Sequence, residues 1–417
     1  MEIKRNSYLQ SIIDRQHNGM IKIITGVRRC GKSYLLFTLY YKYLIEHDID
    51  KNHIITIALD DRRNKSLRNP DEILNYIDDK IIDDKMYYIF LDEVQFLDEF
   101  EDVLNSLLHI KNADVYVTGS NSKFLSTDII TEFRGRGDEI RIYPLSFKEF
   151  FSVYNGSFDE AWDEYFNYGG LPQIVSMNTV KQKADYLSNL FSKVYITDVI
   201  ERNRIQNKDE LNDLLNILAS SIGSLTNPTK IANTFKSAKQ VNCSNKTISS
   251  YIEYLVDSFL ISKVSRYDIK GRKYINANLK YYFVDVGLRN ARLNFRQQEE
   301  NHIMENIIYN ELLTRGYNVD VGIVEMNSKD TTGKSIRRQL EVDFVANQGS
   351  KRYYIQSAFE MHSHEKTEQE KKSLSHIGDS FKKIIIIRDN IKARHDENGF
   401  VTIGLKEFLL NENSLEF

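Results

Sequence analysis

"ITGVRRCGKSYLL", Ile24 to Leu36, decides the fold. Its centre, Gly26-Val27-Arg28-Arg29-Cys30-Gly31-Lys32-Ser33, is a full G-x-x-x-x-G-K-[ST] pattern. The pattern acquires meaning only with a strand before it and a helix after it. Both are present. "IKIIT" (Ile21 to Thr25) is a short β-branched run ending at a glycine, which reads as a buried strand. "KSYLLFTLYYKYLIEH" then carries Leu35, Leu36, Leu39, Tyr43 and Leu44 at helical spacing. Strand, glycine loop and helix in this order aim successive backbone N–H groups and a helix N-terminus at a phosphate. Lys32 is placed to reach β/γ-phosphates and the Ser33 hydroxyl to ligate Mg²⁺. The expected contact run is Gly26, Val27, Arg28, Arg29, Cys30, Gly31, Lys32, Ser33 and Tyr34.

A chain of 417 residues predicts about two to four domains, because single cores stop growing near ~250–300 residues. Hydrophobic content of 41% and charged content of 28% are those of an ordinary globular protein. A net charge of −3 argues against wholesale coating of nucleic acid, so any such contact must use a local basic face. The two cysteines, Cys30 and Cys243, stand in unrelated contexts, which fits a reducing cytoplasm and not a disulfide framework. The start "MEIKRNSYLQSIID" lacks an apolar core, and the longest aliphatic run, Ile384 to Ile387, is far too short for a bilayer. The expectation is a cytoplasmic protein with no membrane segment.

Hydrolysis needs a second motif, and "MYYIFLDEVQFL" supplies one. The apolar strand Tyr87 to Leu91 ends in Asp92-Glu93. In a strand beside the P-loop strand, Asp92 can hold the Mg²⁺ shell and Glu93 can polarise the attacking water. A third strand, "ADVYVTGSNS", ends in Thr118-Gly119-Ser120-Asn121. Asn121 or Ser120 is expected there to sense a γ-phosphate and orient the lytic water. "EFRGRGDEIRIYPLSFKEF" places Arg134 and Arg136 in a glycine-rich turn, where an arginine can act in trans on a neighbour's site.

These motifs, with "YGGLP" (Tyr168 to Pro172), resemble the AAA+ ATPases of bacteria and archaea that carry a C-terminal domain of unknown function. The resemblance covers essentially the whole chain. It implies a five-stranded parallel sheet with helices on both faces and a small helical lid after it. It also implies ATP as the nucleotide, Lys32 and Ser33 as P-loop residues, Asp92 and Glu93 as the metal-and-water pair, and Arg136 as the arginine of the "GR" turn. Arg202 and Arg204 are candidates for a second sensor.

From 209 to 290 the chain reads as three helices and a β-wing around the turn Lys270-Gly271-Arg272-Lys273. Asn227 caps the second helix, with Pro228 at its first position, and Ser244 caps the third. This is the order of a winged helix, whose third helix would offer Asn245, Lys246, Ser249 and Ser250 to a major groove. Between Ile261 and Arg296 nine basic side chains stand against Asp268 and Asp285, the footprint expected of phosphate contacts with DNA.

The last part resembles the PD-(D/E)XK restriction-type nucleases: a helix with Glu305, strands with Asp343 and Gln356, a charged helix and the strand "KKIIIIRD". Here Gln356 stands where that pattern has an acid and Ala358 where it has a lysine. One anionic Mg²⁺ ligand and the cation near the attacking water are therefore absent. The expected fold is α/β: a P-loop AAA+ parallel sheet (1–145), a helical lid (146–206), a winged helix (207–292) and a degenerate nuclease-like α/β domain (293–417). The expected activity is Mg²⁺-dependent ATP hydrolysis coupled to DNA binding, possible as a homo-oligomer. A nucleotide-gated protein-interaction switch and an active ATP-dependent nuclease are the alternatives.

Overall fold

A computed structural model describes residues 2–120, 135–239, 243–296, 299–329, 335–359 and 364–416. They form two compact units, one of Met1–Pro144 with Asp257–Phe259, the other of Leu145–Val256 with Leu260–Phe417.

The first unit is built on strands β1 (Ile21–Thr25), β2 (Ile54–Ala58), β3 (Tyr87–Asp92), β4 (Ala113–Gly119) and β5 (Gly137–Arg141). All neighbours run parallel, in the order β2-β3-β4-β1-β5. Parallel strands need crossovers, and helices Pro70–Lys80 and Phe100–Leu107 supply two of them. Sheets covered on both faces have strands that read as continuous apolar runs, and every residue of β1 and β3 is buried. Ile21, Ile23, Ile89, Leu91 and Val117 from the strands pack with Ile73, Ile77, Val103, Leu104 and Leu107 from those helices. The sequence suggested that the acidic strand lies directly beside the P-loop strand. In the structure β4 intervenes between them. Strand order follows from how the crossovers pack, which no local pattern records.

The second unit starts with helices Phe147–Phe151, Phe158–Tyr168, Val180–Asn189 and Thr197–Arg202. Ser146 with Glu149, and Ser157 with Glu160, close reciprocal capping boxes at the first two. Helices Lys208–Ser220, Pro228–Lys239 and Asn245–Asp257 follow. Asn227 and Ser244 cap the last two through the N–H groups of Lys230 and Thr247.

The rest is a mixed sheet of β6 (Ile261–Asp268), β7 (Lys273–Phe283), β8 (Asn318–Lys329), β9 (Ser335–Gln348), β10 (Lys351–Ala358), β11 (Lys382–Ile387), β12 (Arg394–His395) and β13 (Phe400–Gly404). Its order is β12-β13-β11-β10-β9-β8-β6-β7. Helix Glu300–Thr314 precedes β8, and helix His364–Ser375 stands between β10 and β11. The hairpin β6/β7 pairs through β6 with β8, so it forms one edge of this sheet. The sheet therefore takes strands from both sides of position 292, a helix end where the sequence suggested a domain boundary.

The "YGGLP" run is held by a buried carboxylate. Asp285 accepts from the Gly170 N–H at 2.7 Å and the Leu288 N–H at 3.0 Å. A Cβ on Gly287 would lie 2.0 Å from the Tyr168 carbonyl oxygen, so glycine alone permits this approach. Burial, opposed by those N–H groups, pushes the Asp285 carboxyl up from 3.8 to about 6. The folded chain thus holds this proton more tightly than the unfolded chain. The stability it contributes is complete below 3.8 and lost as pH rises through about 6. Asp285→Asn should lack this fall, worth about 3 kcal/mol over the window. Urea unfolding of both proteins across that window checks it, and parallel pH profiles would contradict it.

Candidate nucleotide site

The site gathers at the C-terminal ends of β1, β3 and β4. After Thr25 the chain turns through Gly26 at φ 143°, where an added Cβ would sit 2.2 Å from the Ile142 carbonyl oxygen. Arg29 (φ 65°) and Gly31 (φ 103°) then adopt the left-handed region, and helical structure begins at Lys32. Val27 and Cys30 are fully buried, so only their backbone faces the cradle. Arg28 is half-buried and Arg29 exposed. Tyr34 is half-buried on the first helical turn.

Lys32 is itself buried, its ammonium donating to the carbonyls of Gly26 (3.0 Å) and Val27 (3.2 Å). From the other side Arg5 braces the loop, donating to the Cys30 carbonyl at 3.0 Å and the Tyr143 carbonyl at 2.8 Å. Nothing in the pattern around Arg5 pointed to that role.

The acidic pair sits where the loop's helix begins. Ser33 Oγ donates to Asp92 Oδ1 at 3.0 Å, and Thr118 at the end of β4 donates to the same oxygen. Burial raises the Asp92 carboxyl above its ordinary value, against the lowering effect of the Thr118 and Ser33 hydrogen bonds. A serine hydroxyl and a carboxylate in contact are hard oxygen donors, and they fit Mg²⁺. Glu93 has φ 50°, a left-handed conformation that carries strain for a non-glycine residue. Three neighbours hold it there. Thr118 Oγ1 accepts from its N–H at 3.0 Å, Ser120 Oγ donates to its Oε2 at 3.2 Å, and Gln95 donates to the same oxygen.

Ser120 is thus the described member of the Ser120/Asn121 choice. Asn121 and Arg134 lie outside the described residues. Arg136 is exposed, and its carbonyl accepts from the Ile21 N–H at 2.9 Å. Of the second-sensor candidates, Arg202 pairs with Asp198 at 2.8 Å and Arg204 is exposed with φ 50°. Thr118 was visible as a polar strand end, and its bonds to both acids are the part that sequence did not indicate.

The basic stretch corrects an expectation. Lys280 and Arg289 are fully buried and Arg266 nearly so, while Arg292 is bound to Asn212 and Asn216. Lys263 pairs with Glu253 at 2.7 Å. Lys270, Arg272, Lys273 and Arg296 remain exposed, as does Lys246 outside the stretch. The net positive face is smaller than charge counting implied, because β6 and β7 turn Arg266 and Lys280 inward and helix Val286–Arg292 buries Arg289.

A glycine loop between a strand and a helix, with an acidic strand end beside it in a five-stranded parallel sheet, defines a P-loop domain of the AAA type. Residues 18–151 match the family model described as an AAA domain, and residues 159–299 match a domain of unknown function (DUF8612). An uncharacterized protein of Haemophilus influenzae is 36% identical over 391 residues, covering 92% of this chain and 93% of that one. The chain belongs to the same family as that protein. The uncharacterized protein MJ1544 of Methanocaldococcus jannaschii is 29% identical over 411 residues, covering 94% of this chain and 86% of that one. Among solved structures, the Walker-type ATPase PABY2304 of Pyrococcus abyssi shares the fold, with TM-score 0.51 at 14% identity over 70% of this chain and 96% of that one. Among the described residues, no helix is long and apolar enough to cross a membrane.

Proposed function

We propose that the chain is a Mg²⁺-dependent ATPase whose second unit binds DNA and does not cut it. The observation that carries this reading is the convergence of Ser33, Asp92 and Thr118 on one oxygen, with Glu93 fixed beside them. In the proposal, Gly26 to Tyr34 wrap the phosphates and Lys32 exchanges its carbonyl partners for phosphate oxygens. Ser33 and Asp92 hold Mg²⁺, which when bound neutralises charge on the phosphate oxygens. Glu93, steadied by Ser120 with or without Asn121, accepts a proton from the attacking water. Arg136, exposed at the start of β5, reaches a neighbouring copy in a homo-oligomer. Equilibrium dialysis with ATP tests the binding half. Wild-type protein should retain ATP and Lys32→Ala should not, and equal retention would remove Lys32 from the site.

For DNA the reading assigns the three helices and the β6/β7 hairpin to a winged helix, with Asn245, Lys246, Ser249 and Ser250 on its third helix and Lys270, Arg272 and Lys273 at its turn. Binding should weaken as salt rises. Lys246→Ala, Arg272→Ala and Lys273→Ala should each reduce the salt slope by about one. A slope indifferent to all three would favour the protein-interaction switch, since an apolar interface is little affected by salt. Non-cleavage rests on Gln356 and Ala358, whose side chains supply neither the acid nor the cation of a cutting site.

A further inference from the structure

A cleft of about 800 Å³ in the second unit is lined by Glu299, His302, Glu305, Asp343, Gln356 and Ala358 among others. Its wall hides a cation. Lys280 of β7 is 2% exposed, and its ammonium lies 2.7 Å from Glu305, 2.7 Å from Glu341 and 4.0 Å from Asp343. Glu305 also accepts from Tyr282, and His302 Nδ1 stands 3.7 Å from its second oxygen. Asp343 accepts from the Ser357 N–H at 2.8 Å. Gln356 is occupied by the Ser373 hydroxyl at 3.4 Å. Two separate elements thus deliver three carboxylates to one lysine: helix Glu300–Thr314 gives Glu305, and β9 gives Glu341 and Asp343.

We propose that the Lys280 ammonium is the resident cation of this cleft, taking the place in the Glu305–Asp343 carboxylate set that the nuclease resemblance gives to Mg²⁺. The inference deepens the non-cutting reading above and rests on it. Two considerations support it. The side chain of Lys280 is 3% exposed, so its charge is spent on the carboxylates and cannot reach a water or a phosphate in the cleft. It therefore does not replace the lysine absent at Ala358. Moreover, among the described residues no group of three or more His, Cys, Asp or Glu side chains is arranged to hold a metal ion. Drawn around an ammonium, the carboxylates do not converge on a metal. Their ionisation agrees. Against the desolvation of its burial, Lys280, together with the Tyr282 hydroxyl and the nearby His302 ring, holds Glu305 down to about 2. Burial, with the Glu305 charge added, pushes Asp343 well up.

The test is Mn²⁺ titration of the nucleotide-free full chain, followed by calorimetry and by Tm. Wild-type protein should show no Mn²⁺ response that depends on Asp343. A wild-type response abolished by Asp343→Asn would overturn the proposal, and if DNA stayed uncut in Mn²⁺ it would leave the non-cutting reading standing. Cleavage of DNA lost in Asp343→Ala would instead overturn that reading. Lys280→Met should lower Tm, because it leaves buried carboxylates without a counter-ion. Mn²⁺ should restore part of the loss, through an Asp343-dependent response that wild type does not show. A Lys280→Met protein as stable as wild type without metal would overturn the proposal. Should Lys280→Met not fold, the double variant with Glu305→Gln, which removes one of the unpaired charges, should fold. Failure of that pair to improve on the single variant would also contradict the resident-cation role.

Discussion

Glu93→Gln should bind ATP with nearly wild-type affinity and turn it over at least ~10²-fold more slowly, the usual loss when a positioned acid–base group is removed. The split follows from where Glu93 sits. In the proposed site the phosphate-facing groups are the loop backbone, Lys32 and the Ser33–Asp92 pair, and none of them hangs on Glu93 for its position. What Glu93 has instead is a carboxylate fixed by Ser120 and Gln95, on a backbone held in the left-handed region by Thr118. Glutamine preserves the size and the hydrogen-bonding reach but cannot take a proton. Measuring ATP affinity and kcat on the same preparation separates the two effects. Full turnover in Glu93→Gln would show that the acidic pair has been assigned wrongly.

The second large effect concerns Arg136. If it acts across a subunit interface, Arg136→Ala should lose about 10³-fold in kcat with little change in nucleotide affinity, the scale of an arginine that stabilises transition-state charge. Mixing it with Lys32→Ala subunits should return part of the activity. Each variant lacks a different half of the site, so a mixed interface can contain one intact pair. Mixing must be verified by co-purification of differently tagged subunits. Verified mixing without recovery would make Arg136 a residue of its own loop.

The nucleotide loop was legible because its chemistry is written in consecutive residues: glycines where φ is positive, a lysine and a serine at a helix start, a β-branched strand before them. The acidic pair was legible for the same reason. Strand order was not, because insertion of β4 between β1 and β3 depends on crossover packing between distant segments. The second unit shows a different limit. Lys280 stands in "NLKYYFV", where its charge looked like part of a basic wing. Its actual neighbours, Glu305, Glu341 and Asp343, are supplied by a helix and a strand far along the chain. A lysine on the inward face of a strand is the only local sign of this, and charge counting over a window averages it away. Asp285 had the same concealment: it entered that count as one of two acids and is in fact the buried anchor of "YGGLP".

The central claim, that the cradle of Gly26 to Ser33 and the Asp92–Glu93 pair form a working ATPase site, is tested most directly by phosphate release from ATP. Wild-type protein should release phosphate in Mg²⁺ and stop in excess EDTA, and Asp92→Asn should remain inactive at every Mg²⁺ concentration while retaining the wild-type fold by circular dichroism. Phosphate release that persists in Asp92→Asn, or that ignores EDTA, would contradict the account.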